Sequence, residues 1–107
     1  MEIELLVVPN CPHQQLASER LRQVMDDIGL RATAFTTRVI ADQAEAERSG
    51  FTGSPMFLID GLDPFAEPGN VPSLACRIYR TPDGLAEAPD VDQLRQALTA
   101  ADTSGGR

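Results

Sequence analysis

At 107 residues the chain is long enough for one domain whose core needs no disulfide staples. Its 16 Asp and Glu outnumber its 9 Lys and Arg, and the net charge of −7 argues against nucleic acid and anionic membrane surfaces, which are held chiefly through clustered Lys and Arg. No membrane span or export signal is expected, because Glu2 and Glu4 stand where a signal is basic and lead directly into an apolar strand; with two cysteines, the expected compartment is a reducing cytoplasm.

The first stretch, Glu2 to Val8, has the length and β-branching of a buried strand and stops at Pro9-Asn10. Cys11-Pro12-His13-Gln14 then opens a helix. Pro12 suits the first helical position, which puts Cys11 at the N-cap. Apolar residues recur at Leu21, Val24, Met25 and Ile28, an amphipathic stripe that Gly29 ends. Arg31 to Ile40 is rich in Thr, Val and Phe and reads as an edge strand. Its connection through a helix makes it parallel to the first strand, with a right-handed crossover.

Asp42 with Glu45 three residues on is a capping box for a short helix ending at Gly50. Phe51-Thr52-Gly53-Ser54-Pro55 leads into Met56 to Ile59, a continuous apolar run expected to be buried on both faces, and Asp60-Gly61 closes it. Leu62 to Ser73 carries Pro64, Pro68, Gly69 and Pro72. It is too long for a tight hairpin and too rich in proline for a helix, so it is a connection stiffened by proline or a loop that binds a partner.

Ala75 to Arg80 is the predicted fourth strand, closed by Pro82-Asp83-Gly84. A last helix begins near Asp90, pairs that residue with Gln93, and presents Val91, Leu94, Leu98 and Ala101 on one face. The expected organisation is a single α/β domain over 1–101 with a disordered tail over 102–107. Its order is β-α-β-α-β-β-α, a four-stranded mixed sheet flanked by helices.

The residue that concentrates chemistry is Cys11. At a helix mouth the unpaired amide hydrogens and the positive end of the dipole favour an anion, and a protonated His13 would add to that. The alternative is an inert half-buried cysteine and a merely solvated histidine. Cys76, in a predicted strand, reads first as a small buried hydrophobe and second as another thiol. If Gly61 opposes Ser73 in a hairpin, Cys76 lies beside Ile59, on the order of 13 Å from Pro55 at about 3.3 Å per residue. A Cys11–Cys76 disulfide needs Cα atoms within roughly 7 Å, so that register argues against one. Two distant cysteines and one histidine make no closed tetrahedral site, and no metal is expected.

The element order, the Cys-Pro-His turn after the first strand, and Gly53-Ser54-Pro55 before the third together resemble the thioredoxin-like superfamily, from Ile3 to about Ala101. The resemblance implies a thioredoxin or glutaredoxin fold, a cis Pro55 facing Cys11, and a platform of Ser54 and Pro55 whose neighbouring backbone is free to pair with an extended peptide or with glutathione. The dithiol members carry Cys-x-x-Cys, whereas the fourth position here is Gln14. A mixed disulfide on Cys11 must then be resolved by an external thiol or by Cys76, as exchange requires an attacking thiolate.

The sequence thus leads to an expectation of monothiol thiol–disulfide exchange. Cys11 and His13 are the catalytic candidates, Pro12, Gln14, Gly53, Ser54 and Pro55 bind the substrate, and Cys76 is a candidate second thiol. No resident cofactor is expected; glutathione or another low-molecular-weight thiol is the co-reactant, and the partner is a thiol or disulfide of a protein or small molecule. A monomer and a dimer formed through a sheet edge both stay open. The alternatives are a binding module that kept the fold without the redox step and, ranked last, thiol handling of mercury or another soft metal.

Overall fold

A computed structural model describes residues 1–30 and 33–105. They form β1 (Ile3–Val7), α1 (Gln14–Asp27), β2 (Thr36–Val39), α2 (Gln43–Ser49), β3 (Met56–Ile59), β4 (Tyr79–Thr81), β5 (Gly84–Ala86) and α3 (Val91–Gly105). No helix among the described residues is long and apolar enough to cross a membrane.

The most apolar run takes the centre of the main sheet. β1 pairs in parallel with β2, which is an edge, and antiparallel with β3, in the order β2-β1-β3. Because strand side chains alternate, Ile3, Leu5 and Val7 join Phe57 and Ile59 against α1 and α3, contributing to a cluster with Leu21, Val24, Leu94 and Leu98. Leu6 and Met56 face the other way, into a smaller cluster with Ile40, Ala46 of α2 and Phe51. Each fully buried Leu, Ile or Phe contributes about 1.5–3 kcal/mol, so β1, buried along nearly its whole length, holds both layers together.

The local signals set the helix ends where the chain is exposed. The Asp42 carboxylate accepts the Glu45 N–H at 2.8 Å, and Gly50 ends α2 in the left-handed conformation. Asp90 and Gln93 exchange reciprocal hydrogen bonds of 2.8 and 3.0 Å at the start of α3. α3 continues through Gly105, past the Ala101 at which the sequence reading ends the domain; the last two residues of the expected tail lie outside the described ones, as do Arg31 and Ala32 of the expected second strand.

The second half corrects the predicted sheet. The described residues form a three-stranded and a two-stranded sheet, not one sheet of four strands. Tyr79 to Thr81 turns at Pro82-Asp83 and pairs with Gly84 to Ala86, a strand absent from the sequence reading. The residues just before it, Ala75 to Arg77, do not run beside β3. They form a single parallel bridge in which Cys76 opposes Ser54. Arg77, at the end of this segment, turns its guanidinium inward to the Asp63 carboxylate rather than outward to water.

Candidate functional site

β1 delivers the chain to the site. Pro9 cannot donate to the sheet, and Asn10 takes the left-handed conformation (φ 59°), which asparagine tolerates better than most residues. Cys11 follows, and its carbonyl accepts the Gln14 N–H at 3.3 Å, closing a turn before α1 begins. This corrects the expected cap. His13, not Cys11, is the N-cap of α1, its side chain makes no capping hydrogen bond, and Pro12 sits in the preceding turn rather than at the first helical position. Cys11 is buried, with 9% of its surface exposed, while Pro12 is exposed and His13 and Gln14 are half-buried.

Across from this turn stand Gly53, Ser54 and Pro55, all buried, with a cis peptide bond between Ser54 and Pro55. The Ser54 hydroxyl accepts the Val8 N–H at 3.1 Å and donates to the Cys11 sulfur at 3.0 Å. A serine hydroxyl has one proton, and the Val8 contact uses an acceptor position, so the proton is free to point at sulfur. Four of the residues singled out from the sequence, Cys11, Gly53, Ser54 and Pro55, are thus brought together, with Pro12, His13 and Gln14 on the rim.

The backbone of Ser54 is not free, contrary to what the resemblance implies. Its N–H donates to the Ala75 carbonyl at 2.9 Å and its carbonyl accepts the Arg77 N–H at 3.0 Å. The same pairing overturns the predicted position of Cys76. Cys76 is bridged in parallel to Ser54 rather than set beside Ile59, and bridged strands run about 4.8 Å apart. It is exposed, not the buried hydrophobe expected, and both cysteines are free thiols. Gly53 is needed where it is: with φ at 137°, a Cβ there would meet the Arg77 Cβ at 2.9 Å.

Arg77 is the residue that sequence reasoning missed. Its side chain, 5% exposed, donates to the Asp63 carboxylate at 2.6 Å and to the Phe65 carbonyl, and its guanidinium carbon lies 4.9 Å from the centre of the Tyr79 ring. Phe57, Phe65 and Tyr79 pack edge to face around it, and the Tyr79 hydroxyl donates to the Pro55 carbonyl. Burial pushes the Tyr79 phenol well above its usual value; the Arg77 charge opposes this and the Asp63 charge adds to it. The available signal is an arginine inside the stretch that reads as the fourth strand, with an Asp63-Pro64-Phe65 in the long connection before it.

A cleft of about 770 Å³ lies elsewhere. It runs between the Leu62 to Phe65 loop and α3, and neither Cys11, Ser54 nor Pro55 lines it. Among the described residues no group of three or more His, Cys, Asp or Glu is arranged to hold a metal ion. No family model, curated protein or solved structure matches the chain.

Proposed function

We propose that the chain is a thioredoxin-like thiol protein that performs monothiol thiol–disulfide exchange through Cys11 in the cytoplasm. The observation that carries this reading is the 3.0 Å hydrogen bond from the Ser54 hydroxyl to the Cys11 sulfur, with the hydroxyl anchored by Val8. A bond to a charged acceptor is stronger than one to a neutral acceptor, so this donor binds an attacking thiolate more tightly than the disulfide sulfur it becomes. The central β1, a Cys-Pro turn at its end and a Ser-Pro pair opening β3 support the thioredoxin-like resemblance.

In the proposed cycle the Cys11 thiolate attacks one sulfur of a disulfide, forming a mixed disulfide and releasing the other sulfur as a thiolate that takes a proton from water. Glutathione or another small thiol then attacks the mixed disulfide, leaves as part of a new disulfide, and returns Cys11 to its reduced form. Gln14 cannot exchange, so no local second thiol completes the cycle. Pro12, His13 and Gln14 border the approach to the sulfur, and Gly53, Ser54 and Pro55 form the wall opposite. Cys76, across the bridge from Ser54, is the internal thiol that could substitute for the external one.

The test is the reduction of 2-hydroxyethyl disulfide by glutathione with catalytic amounts of protein. Cys11→Ser is expected to abolish it, and activity surviving that change sinks the proposal. A second reading, a docking domain without redox chemistry, draws on the near-burial of Cys11 and the occupied Ser54 backbone. It requires that the wild-type protein form no mixed disulfide in this assay.

A further inference from the structure

We infer that the Cys11 site takes low-molecular-weight disulfides and turns away extended peptides, because the chain's own segment 72–77 lies on the main-chain edge beside the reactive sulfur. The inference rests on the proposed exchange at Cys11 and names its substrate class.

An extended peptide docks beside a strand by exchanging main-chain hydrogen bonds with it, which requires an N–H and a carbonyl that are unpaired. Ser54 is the residue whose side chain touches the sulfur, so its edge is where a peptide would lie while presenting a disulfide to Cys11. Both of its main-chain groups are taken, by the Ala75 carbonyl and the Arg77 N–H. A small disulfide has no main chain to pair and loses nothing by this.

The segment is fastened along its length. Gln43 of α2 donates to the Pro72 carbonyl at 3.0 Å, and the Ser73 N–H donates to the Phe51 carbonyl at 3.0 Å. At its far end Arg77 is buried against Asp63, Phe65 and Tyr79. Displacing the segment to admit a peptide would pull that arginine from its carboxylate and leave a buried charge unpaired, which is strongly unfavourable. Gly53 also allows the close approach that a side chain there would block, so the fit of segment to edge is built into the sequence on both sides. Cys11 as a residue is only 9% exposed, which favours a narrow reagent over a broad one.

The experiment compares two disulfides with the same leaving group: 2-hydroxyethyl disulfide, and a ten-residue unstructured peptide whose single cysteine is disulfide-bonded to 2-mercaptoethanol. The Cys11–mercaptoethanol disulfide formed from the first and the Cys11–peptide disulfide formed from the second, each with release of 2-mercaptoethanol, are followed by peptide mass mapping, and each rate is divided by that of free glutathione attacking the same sulfur. The expected result is at least a tenfold preference for the small disulfide. Asp63→Asn, which weakens the Arg77 anchor, should raise the relative peptide rate several-fold and leave the small-disulfide rate unchanged. A wild-type protein that reacts with the peptide as fast as with the small disulfide overturns the inference and leaves the exchange reading standing. Failure to react with either disulfide removes the exchange reading and this inference with it.

Discussion

The two halves of the molecule are held by different kinds of interaction. From Ile3 to Ile59 most elements carry a local signal, β1 its run of buried aliphatics, α2 its Asp42 cap and Gly50, β3 the run Met56 to Ile59, while the exposed β2 is held by its pairing with β1. From Leu62 to Ala86 the order comes from one buried cation and the groups it gathers from residues 12 and 14 positions away. Loss of one exposed cap is therefore expected to cost the first half less than loss of Arg77 costs the second.

Five measurements test that contrast. Removing the guanidinium by Arg77→Ala leaves the Asp63 carboxylate without its partner and is expected to cost about 3–5 kcal/mol in urea unfolding. Arg77→Met, which fills the space without a charge, should cost less than Arg77→Ala; equal losses would mean that packing rather than the ion pair holds the segment. Gly53→Ala introduces a Cβ 2.9 Å from the Arg77 Cβ at a positive φ and is expected to cost about 1–3 kcal/mol, read as a lower melting temperature. No loss would show that the 75–77 segment does not press on Gly53.

Tyr79, the single tyrosine, gives a pH readout of the same region. Its folded-state value is raised by burial, so the native state holds the phenolic proton more tightly than the unfolded chain does. That contribution is present below the unfolded value of about 10 and is lost as the pH rises above it. Tyrosinate absorbance is expected to appear together with unfolding under alkaline conditions; a normal titration in a protein still folded by circular dichroism would place the ring in water. The smallest effect belongs to the first half: Asp42→Ala should cost about 1 kcal/mol by thermal unfolding, because one cap is lost from an exposed helix start.

At the site the same division recurs. Cys11 and the Ser-Pro that faces it are both legible, because a cysteine after an apolar strand and a Ser-Pro before another are local patterns. Their contact was not derivable from spacing alone, being a hydrogen bond between residues 43 apart. The cap was read one turn too early, since a turn closed by the Cys11 carbonyl and the Gln14 N–H intervenes between Cys11 and the helix. Cys76 differs more. A stretch with a cysteine, an isoleucine and a tyrosine reads as a strand beside its predecessor, whereas the chain bridges Cys76 to Ser54 and buries the neighbouring Arg77 against Asp63.

The sequence by itself determined the α/β class, the presence of three helices, the two caps at Asp42 and Asp90, and the strands β1 and β3, because periodicity and caps act over a few residues. The tertiary structure decided the split into two sheets, the burial of Arg77 with Asp63, and the pairing that closes the Ser54 edge. Those depend on where an arginine finds a carboxylate and an aromatic face, and the need to satisfy a buried charge reaches across the chain in a way that no local pattern records.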